Sequence, residues 1–179
     1  MIQVRRALAA DAPSIGAVHV SAWRSAYAGI LPSEYLTRLS MPRQAAQYDA
    51  SIRMGDGVYV AIAAGPGARP GVVGFATVGR PRSRGLADGE IQTLYVLDDW
   101  RERGIGRRLL AAGATHLQAA GCQSAFLWVL RDNPSRWFYE RLGGRQAAAS
   151  ATRVAGVPIP QVAFVWDPID RLVAEAKPA

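Results

Sequence analysis

Residues 101–108 read Arg-Glu-Arg-Gly-Ile-Gly-Arg-Arg, four guanidinium groups around two glycines. They stand where a β-rich run, 90–97, gives way to a helical pattern, 104–120. Both residue types are poorly suited to a bare helix start. A helix N-terminus carries partial positive charge and favours acids, and each glycine inside a helix costs about 1 kcal/mol against alanine. An anion at the helix end reverses both effects. The first helical N–H groups have no internal partner, phosphate suits them, glycine lets backbone approach closely, and the arginines neutralise charge. Leu109 stands where a dinucleotide fingerprint needs a third glycine, and no Gly-Lys-Ser/Thr follows, so neither common phosphate motif is present. A solvated arginine-rich loop is the other reading of the same residues.

Other reactive side chains are sparse. One cysteine, Cys122, excludes an internal disulfide, and no cluster has metal-ligand spacing. No Ser/His/Asp arrangement offers a nucleophile, so direct attack by a substrate group is the better mechanism. His116 falls on the expected buried stripe of helix 104–120, with Ile105, Leu109, Ala112 and Ala119, and is expected as a core histidine. His19 and Trp23 are i,i+4 neighbours on the first helix.

These residues need a frame to hold them. The pattern predicts a strand at 2–7 and a helix from the Asp11 cap to about residue 28, with Ile15, Val18, Ala22 and Ala26 inward. Short helices begin at Pro32 and Pro42. Strands follow at 57–64 and 71–79, joined by a hairpin turn over 65–70, then a polar loop at 80–89 and a strand at 90–97. After helix 104–120 come a strand at 124–131, a helix opened by Asn133-Pro134 and stopped at Gly143-Gly144, and strands at 145–154 and 160–167. This order implies an α/β fold with a mixed, mostly antiparallel sheet of six to seven strands and one parallel crossover, through helix 104–120. A single domain is expected over 1–170, with 171–179 a short tail.

The 179 residues are half hydrophobic and carry a net charge of +7. All basic residues but Lys177 are arginine, a bias that GC-rich coding also produces, so their placement says more than their total. No apolar run reaches the roughly 18 residues of a membrane span. Residues 1–14 lack the apolar core of a signal peptide. A cytoplasmic protein is expected.

With the loop in this frame, the chain resembles the GNAT N-acetyltransferase superfamily. Arg101-Glu102-Arg103-Gly104-Ile105-Gly106 is similar to its Arg/Gln-x-x-Gly-x-Gly/Ala signature, with a matching strand before and helix after. Residues 133–144, Asn-Pro-Ser-Arg-Trp-Phe-Tyr-Glu-Arg-Leu-Gly-Gly, resemble its second motif, and 19–36 resemble the N-terminal segments of bacterial members. The one departure is Gly144, where phenylalanine is usual.

The resemblance implies an acetyltransferase that uses acetyl-coenzyme A as co-substrate, without metal, and moves the acetyl group to a primary amine in a ternary complex. The pyrophosphate would lie on Arg101, Arg103, Gly104, Ile105, Gly106, Arg107 and Arg108. The pantetheine arm would lie along Leu94, Tyr95 and Val96, with the Leu94 N–H as oxyanion donor and Asn133 as a further contact. Glu90, eleven residues before Arg101, is the implied general base, and Tyr139 the general acid for the leaving thiolate. The acceptor would bind near Trp23, Tyr27 and Tyr35 and the 155–160 connection, as a small-molecule or peptide amine. These segments are aromatic and neutral to basic, which disfavours a polyamine. A homodimer is compatible with this reading. The alternative is a non-catalytic module that senses acyl-coenzyme A or binds nucleic acid, but no nucleic-acid-binding motif supports the latter.

Overall fold

The computed structural model describes residues 2–65, 67, 69–82 and 85–176. Seven strands form one sheet among the described residues, in the order β1-β2-β3-β4-β5-β7-β6. They are β1 (Gln3–Arg6), β2 (Gly57–Ala63), β3 (Gly71–Gly79), β4 (Gly89–Val96), β5 (Ala125–Leu130), β6 (Arg145–Val154) and β7 (Val157–Trp166). Every pair is antiparallel except β4 with β5. Those two flank helix α4 (Ile105–Ala119), the expected crossover.

Helices cover both faces. On one face α4 and α6 (Asp170–Ala176) pack against Val78, Ile91, Leu127, Val129 and Phe164. On the other, α1 (Ala12–Ala26) and α3 (Met41–Arg53) close over Val58, Val60 and Phe75. The short helices α2 (Ser33–Thr37) and α5 (Arg136–Arg141) stand at the end where β4 and β5 finish. Residues Tyr27, Leu31, Leu36 and Ile159 form a small satellite core there.

Four expectations need correction. The buried stripe of α4 is Ile105, Leu109, Leu110, Gly113, Ala114 and Leu117, while Ala119 is exposed and Ala112 and His116 are half-buried. The helix is covered by α6 as well as by the sheet, so its apolar face is wider and turned from the one expected. The 171–179 tail is not free chain through 176: Leu172 and Ala176 of α6 are wholly buried. β7 begins at Val157, because Ala155 and Gly156 alone make the turn, with φ of 51° and 81°. α5 begins at Arg136, because Asn133 Oδ1 accepts from the Ser135 N–H at 2.9 Å in an Asx turn. Residues 66 and 68 of the expected 65–70 turn lie outside the described residues.

Gly144 also has its explanation. A Cβ there would come within 2.8 Å of Trp166 Cζ2. The buried Trp166 indole fills that space and donates to the Leu142 carbonyl at 2.8 Å.

Candidate active site

Strands β4 and β5 pair only at Gly89↔Ala125 and Glu90↔Phe126 and then separate. Between them opens a cavity of about 510 Å³. The β4 backbone along its wall faces a gap. The Leu97 N–H donates to the Val73 carbonyl at 2.9 Å, toward β3. N–H directions alternate along a strand, so those of Leu94 and Val96 point away from β3, into the gap. β5 has parted from β4 there, so they have no ladder partner among the described residues and their N–H groups face the cavity.

The start of α4 forms the far end of the same cavity. Glu102 and Gly104 adopt positive φ, 60° and 72°, and turn the chain so that the α4 N-terminus meets the gap. Gly106 follows on the first turn, where a Cβ would approach Phe138 Cζ at 3.4 Å.

The four arginines of this segment divide into two pairs. Arg101 and Arg107 line the cavity. Arg101 also pairs with Asp98 at 2.8 Å, whereas the buried Arg107 Nε has no hydrogen-bond partner among the described residues. The other two do not line it. Arg103 lies over the Trp100 ring at 4.8 Å, and Arg108 reaches back to donate to the Ile2 carbonyl at 3.0 Å, tying α4 to the sheet edge. The sequence spacing could not separate them, because which side an arginine takes depends on β1 and Trp100.

Leu94, Tyr95, Val96, Gly104, Ile105, Gly106 and Asn133 all line the cavity. So does Tyr139, whose phenol is buried between Phe138 and Phe164 and pushed well above its ordinary pKa by that burial. Trp23 and Tyr27 line the opposite side, with Trp23 stacked 5.0 Å from His19. The His19 imidazole bonds the Tyr48 hydroxyl at 2.7 Å and is brought down to about 4 by burial. Tyr35 sits behind Trp23, at 6.3 Å between rings, and does not itself line the cavity.

Glu90 is placed differently from its expected part. It is 1% exposed and lies outside the cavity lining. Arg82 encloses its carboxylate with three hydrogen bonds, from the backbone N–H at 2.6 Å, Nε at 3.0 Å and Nη2 at 2.7 Å. Arg82, not Glu90, reaches the wall.

Sequence reasoning passed over Arg82, Trp100, Trp128 and Gln161, which also line the cavity. Trp128 was hidden inside the continuous apolar run of β5. Strand alternation alone could have placed it opposite Leu127 and Val129. Among the described residues, no group of three or more His, Cys, Asp or Glu could hold a metal ion. Among the described residues, no helix is long and apolar enough to cross a membrane.

A strand pair splayed beside a glycine-bearing helix start can be set against known proteins. The sequence profile of the acetyltransferase (GNAT) family matches residues 21–144. The chain belongs to the GNAT family of N-acetyltransferases. An uncharacterized N-acetyltransferase of Bacillus subtilis, YuaI, is 35% identical over 173 residues, 96% of each chain. The fold of this N-acetyltransferase is similar to that of ribosomal-protein-alanine N-acetyltransferase from Brucella melitensis, with a TM-score of 0.69 and 21% identity over 92% of this chain and 99% of that one. It is also similar to the acetyltransferase yncA of Salmonella typhimurium, solved with acetyl-CoA, with a TM-score of 0.65 and 19% identity over 93% of each chain.

Proposed function

We propose that the enzyme binds acetyl-coenzyme A in the β4/β5 gap and transfers its acetyl group directly to a primary amine. The observation that carries this reading is the separation of β4 from β5 beside the α4 N-terminus. The gap leaves the Leu94 and Val96 N–H groups without a ladder, and the helix start adds the unpartnered Arg107 Nε. These donors suit the amide-rich arm and the pyrophosphate. Arg101, Gly104, Ile105 and Gly106 complete the phosphate end, with Asn133 beside the arm. Arg103 and Arg108 act at a distance, as fixed positive charge and as a helix anchor.

The amine enters from the side of Trp23 and Tyr27. Its nitrogen attacks the thioester carbonyl, whose oxygen gains charge and is held by the Leu94 N–H. The C–S bond breaks, and Tyr139 donates to the departing sulfur. Burial keeps that phenol protonated, so it always stands as a donor. The proton lost by nitrogen replaces the one given to sulfur.

Glu90 serves in this scheme by holding Arg82 in the wall. Arg82 in turn disfavours a bound ammonium, because like charges favour the neutral amine. The free base is therefore the form selected, and turnover rises with pH through the acceptor's own pKa.

Calorimetric titration tests the binding half of this reading. Acetyl-coenzyme A is expected to bind in the micromolar range, and pantetheine, which lacks the phosphates, at least about tenfold more weakly. Equal affinities would refute the assignment of the α4 start.

A further inference from the structure

We propose that the acceptor amine also carries an acidic oxygen group, as an amino acid with an apolar or aromatic side chain does, and that the indole N–H groups of Trp23 and Trp128 receive it. This rests on the acetyl-transfer reading above and extends it to the substrate class.

Three buried side-chain polar atoms make no full hydrogen bond among the described residues: Arg107 Nε, Trp128 Nε1 and Trp23 Nε1, the last within weak reach of the Tyr95 hydroxyl. All three are donors, and all three residues line the one cavity. Buried donors are normally satisfied, and an indole N–H can only donate. What fills this cavity must therefore bring acceptors. Arg107 belongs to the α4 end and is accounted for by phosphate. The two tryptophans are not.

Both tryptophans belong to the other face of the sheet. Leu127 and Val129 pack with the α4 core, so Trp128, between them, faces the α1 side with Leu130, which meets Tyr27 and Leu31. Trp23 lies on α1 itself, among the rings of His19, Tyr27 and Tyr95. This wall is rich in rings, and its acceptors, the Tyr27 and Tyr95 hydroxyls among them, leave Trp128 Nε1 without a partner among the described residues.

The charges point the same way. The only acid among the described lining residues is Glu102, on the loop before α4, whereas Arg82, Arg101, Arg107 and Arg141 are all cationic. Glu90 is enclosed by Arg82, whose Nη1 makes no hydrogen bond among the described residues. An amine without an acid group would bring no charge to oppose Arg82 and no anionic acceptor for Trp128 Nε1. A carboxylate supplies acceptors and opposite charge, and the rings suit an apolar body.

The test uses the full chain, acetyl-coenzyme A and matched acceptors: phenylalanine, phenylalaninamide and phenethylamine, with leucine, leucinamide and isoamylamine as a second series. Thiol release gives kcat/KM. Tryptophan fluorescence gives binding of the same compounds without co-substrate, so preference is measured even where no transfer occurs. The amino acids are expected to exceed the decarboxylated amines by at least about tenfold. Trp128→Phe and Trp23→Phe, which keep a ring and delete the N–H, should each narrow that gap while acetyl-coenzyme A affinity stays in place. Decarboxylated amines or amides that equal the acids overturn the proposal. So does a gap that neither variant narrows, or the binding of no member of either series. Failure of acetyl-coenzyme A to bind, with amino acids still preferred in fluorescence, would instead remove the transfer reading and leave the acid-binding wall.

Discussion

The two walls of the β4/β5 cavity are built from different material. The α4 wall uses backbone: N–H groups of a splayed strand, the first turn of a helix, and glycines that let a ligand approach. The α1 wall uses side chains: Trp23 and Tyr27 from one helix, Trp128 from β5 and Arg82 from a loop. Backbone recognition needs consecutive residues of restricted type, so it leaves a local motif. Side-chain recognition draws on residues scattered over 100 positions of the chain and leaves none.

Substitutions can separate the walls, and the largest effect belongs to the backbone one. Gly106→Pro removes an N–H at the second position of α4, where proline is tolerated in a helix. Acetyl-coenzyme A affinity should fall by roughly 100-fold in calorimetry, while Tm shifts by only a few degrees. An equal loss of fold would make the glycine structural. Next is Tyr139→Phe, which should lower kcat by about 10- to 100-fold with acetyl-coenzyme A affinity retained.

Glu90→Gln acts on the other wall and distinguishes positioning from proton transfer. It should raise the acceptor KM several-fold and lower Tm by a few degrees, because Arg82 loses its partner but is free to reach solvent. The pH–rate midpoint should stay at the acceptor's own pKa. A shifted midpoint would restore Glu90 as a base.

The last effect bears on stability rather than on turnover and concerns His19, which stacks against Trp23. Burial lowers its folded pKa from the usual 6.5 to about 4. The unfolded chain therefore takes up this proton first as pH falls. The stabilisation from a neutral His19 is complete above pH 6.5 and is lost on acidification toward pH 4, by at most roughly 3 kcal/mol. Thermal melts across that window should fall less steeply for His19→Gln than for the parent protein.

Much of the frame was legible because periodicity writes it directly. β3 and β6 fall at the residues expected, and the β4-α4-β5 crossover follows from the order of patterns. The turned stripe of α4 was not legible, since it depends on α6 covering Leu110, Ala114 and Leu117 from a second side. At the site, the run 101–108 announced itself, but its division into lining and anchoring arginines hangs on Ile2, at the other end of the chain, and on which way the Trp100 ring turns. Glu90 was found at the expected strand end. Its enclosure by Arg82 depends on where the chain after β3 brings residues 80–82, which no spacing rule encodes.

The most direct test of the central claim is hydrogen exchange with and without acetyl-coenzyme A, read by mass spectrometry along β4 and the start of α4. Slowed exchange is expected at the Leu94 and Val96 amides and across residues 104–107, with residues 22–27 of the α1 wall unchanged until an acceptor is added. Protection that appears first on the α1 wall, or nowhere in β4, would contradict it.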